Sequence, residues 1–113
     1  MTIEEFIIDH LTGALQVPVK AEVPDPPPEE FVLVEKTGSS TANRVVTAQL
    51  AVQSWAGSLL GAAELNEAVK AAMTGVLAHG EICAVRCETD YNFTDTTTKH
   101  YRYQAVFEVV HYL

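Results

Sequence analysis

The segment from Arg44 to Leu77 constrains the fold more than any other part of the chain. It opens with RVVTAQLAVQSWA, a run rich in β-branched and small residues with no internal proline or glycine, which predicts one long strand. Alternation puts Val46, Ala48, Leu50 and Val52 on one face and Thr47, Gln49, Ala51 and Gln53 on the other, with Trp55 closing the strand on the second parity. The chain then turns through Gly57-Ser58 into SLLGAAELNEAVKAAMTGVL, where Leu65, Val69, Ala72 and Val76 form a stripe at helical spacing, flanked by Ala62, Ala68 and Met73. About twenty residues from Ser58 would give a helix about 30 Å long. Gly75 and Gly80 mark its C-terminal end.

The remaining segments complete a sheet beside that strand and cover it. Thr2 is a candidate N-cap, with Glu4 and Glu5 in the first turn of a helix carrying Ile3, Phe6, Ile7, His10, Leu11 and Leu15 and ending between Gly13 and Gln16. His10 beside that stripe reads as a packing histidine. Val17 to Val23 alternates as a short edge strand, since Pro18 cannot donate to a ladder. PDPPPEE, residues 24–30, is a stiff connector. Phe31 to Thr37 is a core strand, and Gly38 to Asn43 a flexible hairpin loop without the helix and lysine of a phosphate loop. Ile82 to Tyr91 is a strand with Cys83, Val85, Cys87, Thr89 and Tyr91 on one face. Asn92 to Lys99 is a polar loop, and Tyr101 to His111 a last strand with Tyr101, Tyr103, Ala105, Phe107 and Val109 on its apolar face. The expected fold class is α+β: a single domain over residues 1–113, with one mixed or antiparallel sheet of about four to five strands and two helices packed on one face.

The chain has 113 residues, 48% hydrophobic and 19% charged, which is the composition of a globular domain. A chain of this size buries about two-thirds of its unfolded surface. The net charge is −8, and residues 1–35 hold most of it: eight acids against one lysine. An acidic chain without a basic patch argues against specific nucleic-acid binding. The acidic start, MTIEEFIIDHL, is unlike a signal peptide, and no apolar run approaches the roughly twenty residues that span a bilayer, so no membrane role is expected. Without a secretory route, the Asn92-Phe93-Thr94 glycosylation pattern carries no weight. Cys83 and Cys87, about 13 Å apart along one strand face, are too distant for a mutual disulfide and read as buried free thiols. The four histidines lack ligand spacing, so neither a metal nor a cofactor is expected.

Catalysis has little to stand on. Glu88, Asp90 and Asp95 lie near Tyr91 and His100, but strand alternation sets Glu88 and Asp90 on the face opposite Tyr91, and Asp95 sits in a loop. The expectation is that the chain is not an enzyme. The second face of the sheet is more suggestive. Gln49, Ala51, Gln53, Ala84, Arg86, Glu88, Arg102, Gln104, Val106, Glu108 and Val110 mix amides, aliphatics and paired charges, as in a surface wet in a monomer and buried in an oligomer. Arg86 and Glu108 are expected to pair across neighbouring strands. The candidate oligomer interface is Gln49, Gln53, Arg86, Arg102, Gln104 and Glu108.

Three stretches, PEEFVLVEKTG (28–38), AQLAVQSWAGSLLGAAELNEAVKAAM (48–73) and YRYQAVFEVV (101–110), together with the order of parts, resemble the small tail-completion proteins of long-tailed bacteriophages (siphoviruses), the tail terminators or head–tail joining proteins. The resemblance covers most of the chain and rests on structural patterns. It implies a non-enzymatic virion assembly subunit that forms a ring, typically a homohexamer, capping the finished tail tube. Its partners would be the major tail tube protein and the connector or neck proteins of the head. It would be found in the virion, at the neck end of the tail, after assembly in the host cytoplasm. Trp55 and the Arg102-Tyr103-Gln104 segment match the pattern, and the acidic N-terminal third departs from it. The alternatives are a head-closure or neck protein one ring higher, or a small-molecule binding module using a pocket between helix and sheet near Trp55.

Overall fold

The computed structural model describes residues 2–112. Helix α1 (Ile3–Ala14) is followed by strands β1 (Val19–Lys20), β2 (Phe31–Ala42) and β3 (Val45–Ala56). Helix α2 (Leu59–Thr74) runs into a 3-10 turn (Gly75–Ala78) before β4 (Ile82–Asn92) and β5 (Tyr101–Tyr112). The strands form one sheet in the order β1-β2-β3-β5-β4. It is a mixed sheet: β1 runs parallel to β2, and every other pairing is antiparallel. This is the α+β architecture expected.

Local chemistry explains the helix starts. Thr2 accepts from the Glu5 N–H while Glu5 accepts from the Thr2 N–H, a complete capping box. Those contacts with Thr2, the backbone N–H first, hold the Glu5 carboxyl below its ordinary value. Thr2→Ala should destabilise the protein by about 1 kcal/mol in a urea titration. Ser58 caps α2 by accepting from the Gly61 N–H at 3.0 Å. At Gly57, between strand and helix, a Cβ would strike the Glu29 carboxylate, so the connector from the proline segment crosses close over this turn.

Both helices pack on one face of the sheet. Ile3, Ile7 and Leu11 of α1 and Leu65, Val69 and Met73 of α2 share one core with Val46, Ala48, Leu50 and Val52 of β3 and Ala105, Phe107 and Val109 of β5. The expected alternation of β3 and β5 is therefore observed. Ala72 is only half-buried and Ala68 is exposed; Asn66, 2% exposed, takes a core position and donates to Asp90 at 2.7 Å. The Lys70 ammonium also bonds Asp90, at 3.2 Å, and that bond raises its pKa.

Several expectations are corrected. Gly38 to Asn43 is not a loop: β2 continues to Ala42, and the hairpin closes on Asn43 and Arg44 alone, both at positive φ (53° and 65°). Two-residue hairpins need that left-handed pair to match the strand twist. A bulge at Thr37, between Lys36 and Gly38, allows β2 to stay paired along its length. In β4, irregularities at Cys83 and at Glu88 break strict alternation. Past the second, Thr89 pairs with Val106 and Tyr91 with Gln104, so both lie on the open face, while Asp90 pairs with Ala105 and faces α2.

Cys83 and Cys87 are free, as expected, but exposed, not buried. β4 is the rim strand, Cys83 sits at its first irregularity, and Cys87, opposite Phe107, lies at the open border of the helical layer. Residual burial raises the Cys87 thiol pKa.

Candidate functional site

The open face of the sheet carries the residues expected at an interface, and the strand register brings them together. Gln49 pairs with Glu108, Ala51 with Val106 and Gln53 with Gln104 across β3 and β5, and Arg86 pairs with Glu108 across β4 and β5. The face is more finished than a bare sheet. The Trp55 indole N–H donates to the Gln53 carbonyl at 3.0 Å, the Gln53 amide donates to Gln104 at 3.0 Å, and Gln104 donates to the Tyr91 hydroxyl. This ladder crosses three strands in one line.

An aromatic stack lies beside it. Trp55 packs on Phe31 with ring centroids 4.9 Å apart, and Phe31, Leu33 and Trp55 make a second small core on this face. The Arg102 guanidinium sits 4.9 Å from the Trp55 centroid and 4.8 Å from that of Phe93, and its Nε donates to the Phe93 carbonyl at 2.8 Å. Phe93 meets Tyr91 edge-on at 5.8 Å. As a result Ala51 and Gln53 are buried in the single chain, at 5% and 7% exposure, where a wet face was expected. The signal for this was the coincidence of Trp55, Tyr91 and Phe93 at one sheet end, which depends on a register that the Glu88 bulge hides.

The remaining interface candidates also have partners within the chain. Gln49 accepts from Thr37 at 2.9 Å, and Arg86 lies 3.7 Å from Glu108 and 3.9 Å from Glu88. Those ion pairs are largely solvated and worth little to stability. A shallow groove of about 270 Å³ on the same face reaches from Ser39 and Ser40 of β2 across Gln49 to Glu88 and Glu108.

The other residues singled out from the sequence do not converge. Glu88 lies on the open face, Asp90 faces α2, and Asp95 is held in its loop by the N–H groups of Thr97 (2.9 Å) and Thr98 (3.4 Å). Those donors, Thr97 first, lower the Asp95 pKa. Their stabilising effect is full above the ordinary carboxylate range and is lost as pH falls through the lowered value. Asp95→Ala should therefore cost stability at pH 7 and progressively less below about pH 4, read as melting temperature against pH. Near Trp55 there is an open cleft of about 210 Å³ walled by Pro27, Pro28 and His100. It is smaller than the roughly 300–1,000 Å³ of ordinary ligand pockets.

The unpaired backbone edges of this sheet are on its two rims. β1 covers only Val32 and Leu33 of β2, and every residue from Glu35 to Ala42 is exposed. On the opposite rim β4 has no outer partner strand among the described residues. The antiparallel pairings set β2 and β4 running in opposite directions. No described helix is long and apolar enough to cross a membrane. No protein-family model matches the chain, and no curated protein matches it in sequence.

Proposed function

We propose that this chain is a structural subunit that assembles into a ring, in the manner of the tail terminator proteins it resembles, capping a phage tail tube and joining it to the neck. The observation that supports this reading is the pair of open, oppositely directed rims. A second copy rotated about an axis along the strands sets its β2 antiparallel to the first copy's β4, so the sheet continues from copy to copy without breaking its alternation. Such a contact is head-to-tail, and repeats of it close into a ring when the rotation closes. Beyond the Thr37 bulge, residues Gly38 to Ala42 carry no proline and no charge, so that part of the rim is open to strand addition. The bonded face ladder then acts as a stiff plate that keeps the two rims in a fixed relation.

Ser39→Pro tests the rim directly. Counting back from the hairpin, Ala42 and Ser40 exchange hydrogen bonds with β3, so the Ser39 N–H points off the rim. Proline there leaves the internal ladder intact and blocks an incoming strand. In light scattering, alone or with a tail tube protein added, the parent chain should form the larger species and the variant should remain a folded monomer. In a phage encoding this chain, deletion should give tails of uncontrolled length. Leaky heads with normal tails would favour the neck-protein reading, and fully infectious particles would refute both.

A further inference from the structure

His10 and His79 meet where α1 crosses the end of α2. His79 Nε2 lies 3.3 Å from His10 Nδ1, and the two rings stand at 88° with centroids 5.3 Å apart. The other nitrogen of His10, Nε2, is 2.8 Å from the carbonyl oxygen of Ala72, to which it donates. That bond fixes the tautomer: His10 Nδ1 carries a lone pair directed at His79. Phe6 backs the second ring edge-on at 5.0 Å. His10 is half-buried and His79 is exposed, so the point between the two nitrogens is open to water.

We propose that His10 Nδ1 and His79 Nε2 chelate a divalent transition-metal ion, zinc being the best fit, with water completing the coordination. The distance is the first argument. Two imidazole nitrogens about 2.05 Å from a tetrahedral zinc stand about 3.4 Å apart. The pair is already set at 3.3 Å. The second is orientation. A metal-bound histidine ordinarily gives its other N–H to a carbonyl or carboxylate, and the Ala72 carbonyl serves His10 in that way. Binding requires His79 to change tautomer: the proton that its Nε2 donates to His10 in the metal-free pair moves to Nδ1, which frees Nε2 as a ligand. The third is consequence. The ion ties α1 to the end of the 3-10 turn after α2, and it stabilises the folded chain as metal is raised. Neither the four-histidine count nor the spacing in sequence reveals the pair, since 69 positions separate the two residues.

The test uses the tag-free full chain, with zinc chloride followed by calorimetry and cobalt chloride by visible absorption. The expected result is one metal per chain and a melting temperature that rises with metal. His79→Ala leaves the His10–Ala72 bond and the core untouched and should weaken binding by at least about tenfold, the least that disturbing a metal's surroundings costs. His10→Ala should do the same, and Cys83→Ser with Cys87→Ser should leave binding unchanged. Absence of saturable binding overturns the proposal, leaving a plain histidine–histidine hydrogen bond. Binding that survives His79→Ala, or a sulfur-to-cobalt charge-transfer band lost with the cysteines, overturns it equally.

Discussion

Phe107→Ala should lower the unfolding free energy by about 3–5 kcal/mol, a large part of the 5–15 kcal/mol that holds a typical domain. Phe107 is 2% exposed on β5, opposite Leu50 of β3 on one side and Cys87 of β4 on the other. It belongs to the core that both helices share, with Val69 and Met73 of α2. Removing the ring forfeits its transfer from water and leaves a void that β-sheet neighbours, held by their ladders, close only in part. A urea titration should show the midpoint falling with the slope nearly unchanged. The control is Tyr112→Ala at the end of the same strand, 56% exposed, which should change stability by less than about 0.5 kcal/mol. Equal effects from the two would mean that the helix-side core is not where the sheet is held.

Trp55 gives the second large effect, on the opposite face. Trp55→Ala removes the partner of Phe31, the platform under Arg102 and the donor to Gln53, and should cost about 3–5 kcal/mol. Trp55→Phe separates the terms. It keeps much of the packing but leaves the Gln53 carbonyl, in a residue 7% exposed, without its indole donor, for about 1–3 kcal/mol. If the alanine and phenylalanine variants are equally unstable, the hydrogen bond dominates and the stack contributes little. If Trp55→Phe matches the parent chain, the ladder is not a structural unit, and the stiff plate linking the rims in the ring proposal loses its basis.

The order of a strand followed by a helix between Arg44 and Leu77 was legible, because period-two and period-3.6 patterns differ sharply and both runs are long. The helix stops at Thr74, short of Leu77, where Gly75 leads into a tighter turn. The second half of β2 was not legible. GSSTA has loop composition, and it forms a strand only because β3 beside it offers a full ladder. The Glu88 bulge hid the site in another way. A one-residue irregularity exchanges the faces of everything after it, so Tyr91 moved to the ladder with Gln104 and Asp90 to Asn66 and Lys70 of α2.

What the amino-acid sequence determined by itself is therefore whatever local periodicity and capping chemistry encode. This covers the α+β class, the inward residues of β3 and β5, the capped start of α1, and the membership of Gln49, Gln53, Arg86, Arg102, Gln104 and Glu108 in one face. Only the tertiary structure decided strand order, the place of each bulge, the burial of Gln53 beneath a tryptophan, the bare rim from Glu35 to Ala42 and the meeting of His10 with His79. The physical reason is range. Alternation and helical spacing act over a few residues, whereas register, edge exposure and side-chain convergence arise from contacts between segments far apart in the chain, whose energies compete globally.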